Sequence, residues 1–179
     1  FRDQLTAGIF GASAIGSAFI FAFQIPNLFR RLLGEGALTA AIVPVLAEKS
    51  VKEGQPAAFG FLNFVLRKVF PWMIGLTMIG IGSALLWAMI WPTNSAAAIL
   101  TAICLPYMPL ICVAALFTSA VNLSGRFGLA EIASGVLNLC MIIGLGVFGE
   151  NLASTDMGKA VWLCVGALIG GAFQLLIPL

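Results

Sequence analysis

Residues 69–91 read VFPWMIGLTMIGIGSALLWAMIW, a run from Val69 to Trp91 without a charge. A helix rising 1.5 Å per residue needs about 20 mostly apolar residues to cross about 30 Å of hydrocarbon. This run therefore predicts a transmembrane helix. The rest of the chain has the same character. Hydrophobic residues make up 61% of the 179 positions and charged residues 9%, with a mean hydropathy of +1.08. A soluble domain carries about a quarter charged residues, so a water-facing surface cannot be covered here. The expected fold is all-α, a polytopic bundle of transmembrane helices in contact with membrane lipid.

Outward from 69–91, further runs follow. Residues 1–10 read as the end of a helix, and the small residues of 11–17 as a turn. Residues 18–47 form a long second element. Pro26 removes a backbone donor and disfavours helix at Ile25, so a kink or break is expected there; Gly34 with Gly36, and then Pro44, mark two more weak points. Residues 48–58, EKSVKEGQPAA, read as an exposed loop before a third element at 59–91. WPTNS at 91–95 reads as a turn. A fourth span at 96–123 is interrupted by Pro106 and Pro109, a fifth occupies 129–149, and a sixth begins at 160 and runs to 179. The chain opens at Phe1 and ends at Leu179 inside an apolar run. Both termini read as cuts within helices of a longer protein, and no cleaved signal peptide is visible.

Lysine and arginine placement orients the bundle. Lys49, Lys52, Arg67, Lys68 and Arg126 fall on one side if the spans alternate, and Lys159 falls on the other. By the positive-inside rule, 48–58 and 124–128 are then cytoplasmic. Trp72, Trp87 and Trp91 read as interfacial anchors of the third span.

Several functions are excluded. The net charge of +2 is too small to suggest a nucleic-acid partner, and the absence of histidine removes His-based metal sites, proton relays and His-assisted nucleophiles. Cys104, Cys112, Cys140 and Cys164 lie in apolar runs and form no C-x-x-C pair, which reads as packing rather than disulfide or metal chemistry. No nucleophile–base pair appears. An enzyme is not expected, nor is a cofactor or metal. Gly166 and Gly170 form G-x-x-x-G, which permits close helix packing. Tyr107, between Pro106 and Pro109, reads as packing before substrate contact.

The informative charges are those out of place. Arg2 and Asp3 open a stretch that stays uncharged to Arg30, and Arg30, Arg31 and Glu35 interrupt a long apolar element. A charge at membrane depth costs at least ~2.5–3.5 kcal/mol on insertion scales. One account is structural: Arg30 and Arg31 snorkel from a helix end, and Arg2 pairs with Asp3. The other is a cationic cavity for an anionic substrate, since the planar guanidinium donates paired hydrogen bonds to phosphate oxygens. A broken helix favours the second, because unwound backbone at depth is tolerated where a cavity or protein surrounds it.

FRD at 1–3, FGAS at 10–13, AFIFAFQIPNLFRRLLGEGALTAAIVPVLAE at 18–48, LPYMPLICVAALFTSAVNLSGRF at 105–127 and VLNLCMIIG at 136–144 resemble the MurJ/MviN family. These are lipid II flippases of the multidrug/oligosaccharidyl-lipid/polysaccharide exporter superfamily. The resemblance implies a fourteen-helix, two-lobed fold of which this chain holds about the first six helices. It also implies alternating access in the bacterial inner membrane, moving the lipid-linked peptidoglycan precursor from the cytoplasmic to the periplasmic leaflet. The family's cavity arginines match Arg2 and Arg30; Asp3, Arg31 and Glu35 match neighbouring motif positions. The implied roles are substrate binding for Arg2, Arg30 and Arg31, and gating or ion pairing for Asp3 and Glu35. Lipid II is the implied partner, with cell-wall synthesis proteins as further candidates. Ser17 stands where many relatives carry an acidic residue, which weakens any assignment of a coupling carboxylate there. Two alternatives remain: an ion-coupled exporter of drugs or other lipid-linked oligosaccharides, and a non-transporting membrane scaffold.

Overall fold

The structure is a computed structural model that describes residues 2–11, 13–34, 36–122 and 129–176, excepting the side chains at 2, 3, 33, 34, 37, 38 and 129–131. Among the described residues there are helices and no strand. α1 (Arg2–Phe10) stops at Gly11, whose φ of +54° is left-handed and whose N–H donates to the Ala7 carbonyl at 2.8 Å. Ser13 then caps α2 (Ala14–Phe29), its Oγ accepting from the Gly16 N–H at 3.1 Å. The turn expected over 11–17 is thus confined to its first residues, because a serine N-cap restarts the helix at Ala14.

α2 runs through Pro26 as continuous helix, so of the kink or break expected there the break does not occur. The missing N–H deprives one carbonyl of its partner, and the fully buried ring packs into the bundle. The interruption comes instead at the glycines. A single wide π turn spans Arg30–Gly34, and α3 (Ala37–Lys52) begins after Gly36. A Cβ at Gly36 would lie 2.5 Å from the Leu32 carbonyl oxygen and 2.8 Å from that of Arg31. Only a residue without a side chain lets the chain turn so tightly. Pro44 sits inside α3 with its ring exposed, and the helix tolerates it.

The polar stretch 48–58 is also not the loop expected. Glu48–Lys52 and Lys49–Glu53 ion pairs, at 2.7 and 3.1 Å, carry α3 through to Lys52. Gly54, with φ +87°, makes the turn, and α4 (Gln55–Ile90) starts at once with Pro56 in its first turn. Polar composition here marks two helix ends rather than irregular chain.

After a 3-10 turn at Pro92–Asn94 come α5 (Ser95–Cys104) and α6 (Tyr107–Asn122), separated at Leu105 and Pro106 as that proline predicts. Residues 123–128, including Arg126 and the expected cytoplasmic turn, lie outside the described residues. α7 (Leu129–Ile143) widens into a second π turn at Gly144–Gly149, followed by α8 (Glu150–Leu152). Thr155 Oγ1 accepts from the Gly158 N–H at 3.2 Å and caps α9 (Asp156–Leu176).

Among the described residues four helical stretches are long and apolar enough to cross a membrane: Gln55–Ile90, Pro92–Asn122, Ile132–Leu152 and Asp156–Leu176. The second is 67% buried over its most apolar window and the first 17%, so α5 and α6 form the centre and α4 the flank. The main core gathers Phe19, Ala22, Leu100, Met108, Met141, Leu163 and their neighbours from α2, α5, α6, α7 and α9. A second core joins Ile42 and Leu46 of α3, Ala58 and Leu62 of α4, and Leu116 and Ala120 of α6. α7 and α9 meet backbone to backbone. A Cβ on Gly166 would lie 2.6 Å from the Cys140 carbonyl oxygen, and one on Gly144 2.7 Å from that of Trp162. The G-x-x-x-G pair thus packs inside this fold, with Gly170 set against Leu137.

Candidate functional site at the break after the second helix

The break puts charge into an otherwise apolar chain segment. Arg30 opens the π turn, and its backbone N–H is shared between the carbonyls of Pro26 and Asn27. Its side chain is half-buried, and Nε donates to Asn27 Oδ1 at 3.0 Å, one turn back along α2. That bond fixes the plane of the guanidinium through its inner nitrogen. The two outer nitrogens carry the other four donors of the group. Arg31 follows at once and is exposed.

α6 forms the wall behind the break. The buried Cys112 thiol is directed at the Phe29 carbonyl, with Sγ 3.8 Å from the oxygen. Farther along, Phe19 stacks on Phe23 and Phe23 on Tyr107, with centroids 5.7 and 5.8 Å apart. These contacts hold the last turns of α2 on α6, so the π turn and its arginines ride on a packed support.

Of the residues singled out from sequence, Arg30 and Arg31 stand together at the break. Arg2 and Asp3 occupy the first turn of α1, but their side chains lie outside the described residues, as does Glu35 altogether. Sequence reading missed Asn27. Its signal was available: an amide three residues before an arginine, on the same helix face, within an apolar segment.

Tyr107 is a packing residue. It is 2% exposed, and Gly171 makes room for its ring, since a Cβ there would lie 2.6 Å from Cδ2. Its hydroxyl donates to Gln174 Oε1 at 3.4 Å, and Gln174 Nε2 donates to the Ala133 carbonyl at 3.0 Å. This buried polar link ties α6, α9 and α7, and Gln174 drew no notice in the sequence. The four cysteines are free, three of them buried, and the Sγ atoms of Cys104 and Cys164 lie 3.0 Å apart between α5 and α9. Among the described residues no group of three potential metal ligands comes together.

The chemistry this arrangement offers is anion recognition. A guanidinium held in plane through its inner nitrogen, with another arginine next in the chain, suits paired hydrogen bonding to phosphate oxygens. The sequence model described as lipid II flippase MurJ matches residues 6–179. The protein named lipid II flippase MurJ from Burkholderia cenocepacia is 32% identical over 99% of the chain and 35% of its own length. Proteins named "Probable lipid II flippase MurJ" from Vibrio cholerae and Aquifex aeolicus are each 31% identical, over 97% and 98% of the chain. The chain spans about a third of the length of these relatives, 36% and 35% in the latter two.

Proposed function

The chain belongs to the lipid II flippase MurJ family, and from that premise we propose that it is the amino-terminal part of a carrier that moves lipid II across the bacterial inner membrane. The reading treats the protein as a transporter without catalytic chemistry, as the names of its relatives suggest. The ends bearing Lys49, Lys52, Arg67, Lys68 and Arg126 face the cytoplasm.

The observation that carries the proposal is Arg30. It stands at a helix break, half-buried, with its plane held by Asn27 at 3.0 Å. In the proposed mechanism Arg30, Arg31 and Arg2 bind the pyrophosphate of lipid II in a cationic cavity. Asp3 and Glu35 pair with these arginines or close gates around them, and the polyprenyl tail stays in the bilayer. Alternating access then exposes the arginines first to one leaflet and then to the other. The π turn supports this use of the site, since wide turns inside helices recur at functional positions.

The test uses the full-length carrier in bacteria depleted of their own lipid II flippase. Rescue by the unaltered carrier, and its loss with Arg2→Ala and Arg30→Ala at equal membrane levels, is the expected result. Rescue by both variants overturns the assignment of the arginines. Failure of the unaltered carrier despite good expression overturns lipid II as the substrate and turns attention to another lipid-linked oligosaccharide, a drug or a non-transporting role.

A further inference from the structure

We infer that the outer face of α4 carries a binding site for anionic phospholipid headgroups, formed by Arg67 and Lys68 between Phe64 and Trp72. The inference is independent of what the carrier transports and rests on the membrane placement of α4.

The buried residues of α4, namely Ala58, Leu62, Met73, Thr77 and Ala84, form one stripe that packs into the bundle. Phe64, Lys68 and Trp72 follow one another at four-residue spacing on the opposite side. Phe64 is 58% exposed and Trp72 82%, and both cations between them are exposed. No residue from Val69 to Ile90 is charged, and at 1.5 Å per residue that segment measures about 33 Å, close to the hydrocarbon thickness. The two cations therefore sit at one hydrocarbon boundary, with Trp72 one turn inside it and Trp91 at the other end.

Charge complementarity selects the occupant. α4 contains no acidic residue. Glu48 of the adjoining α3 and Glu53 just after it are taken up by Lys52 and Lys49. Among the described residues Arg67 and Lys68 have no ion pair. They form a net cationic patch beside exposed aromatic rings at headgroup depth. A phosphodiester headgroup supplies the missing negative charge, and its acyl chains lie along Trp72 and the apolar face beyond. A zwitterionic headgroup brings its own cation and gains little.

The test uses the full-length carrier with Trp72 as its sole tryptophan, in phosphatidylcholine bilayers. Part of the lipid is replaced by phosphatidylglycerol or phosphatidylcholine brominated near the top of the acyl chain, at equal mole fraction. Bromine quenches tryptophan in contact with it. Brominated phosphatidylglycerol is expected to quench with an apparent affinity at least about five-fold higher, from roughly five-fold per near-surface cation. In Arg67→Gln/Lys68→Gln the preference falls to near parity, while quenching by brominated phosphatidylcholine is retained and shows that Trp72 still meets lipid. Equal quenching by the two lipids in the unaltered carrier overturns the site. So does quenching by neither, which means that protein covers this face.

Discussion

Adding one methyl group to Gly166 tests the packing on which the α7–α9 pair depends. The new Cβ would sit 2.6 Å from the Cys140 carbonyl oxygen, 3.0 Å from Met141 Cα and 3.2 Å from the Cys140 carbonyl carbon, all backbone atoms that cannot swing aside. Ordinary contact begins near 3.4 Å, so the helices have to part by about 0.8 Å at the crossing. Gaps of about 0.5–1 Å forfeit a quarter to a half of the dispersion energy between facing atoms, and lipid-embedded helices have no hydrophobic effect to compensate. Overpacking of this kind costs about 1–3 kcal/mol, offset by up to about 1 kcal/mol of alanine's helix preference. Gly166→Ala is therefore expected to destabilise by about 1–2 kcal/mol. Gly75→Ala is the matched control: same chemistry, mid-helix in α4, nothing within 4 Å of the new Cβ. It is expected to stabilise by about 0.5–1 kcal/mol. Unfolding of the two variants in mixed micelles, followed by circular dichroism against the mole fraction of denaturing detergent, measures the difference. A Gly166→Ala protein as stable as Gly75→Ala would show that the close approach is not a constraint on the fold.

Further outcomes follow from the site and its supports. Arg30→Lys keeps the charge but loses both the planar fork and the bond to Asn27; it is expected to fail in rescue assays at normal membrane levels. Asn27→Ala removes a hydrogen bond to a charged group worth about 1.5–3 kcal/mol. Affinity for the lipid-linked pyrophosphate, measured by titration in detergent, is expected to fall about ten-fold with the fold intact. Gly36→Ala places a Cβ against two backbone oxygens, so rescue is expected to be lost and protease sensitivity near the break to rise. Gln174→Leu strips Tyr107 and Ala133 of a shared partner and is expected to destabilise by about 1–2 kcal/mol in the unfolding assay.

Much of the architecture was legible because lipid leaves few choices. The charge-free run at 69–91 became α4, and Pro106 separated α5 from α6 where a missing donor requires it. What misled was local chemistry. Pro26 and Pro44 stand within continuous helices, since losing one donor does not break a helix whose neighbours hold it in place. The stretch 48–58 is polar yet helical on both sides of a turn at Glu53 and Gly54, because its charges pair at four-residue spacing at the end of α3. Arg30 and Arg31 were visible as charges out of place. Asn27 was overlooked although its three-residue spacing to Arg30 was on view, and Gln174 was not legible, since an uncharged polar residue in an apolar run gives no sign of depth until the packing is known.

The wide turn at Gly144–Gly149 closes its hydrogen bonds one residue later than an α-helix does. A helix in that state has taken up one residue more than its path requires. Removing one residue there returns an ordinary α-turn, and the chain from Glu150 onward keeps its place. Removing one at Leu139 instead would turn Leu137 about 100° away from Gly170 relative to Gly144, undoing the crossing. Length differences among natural variants of this segment should therefore gather within 144–149 and avoid the turns just before it, and an aligned set of family sequences can be read for that bias.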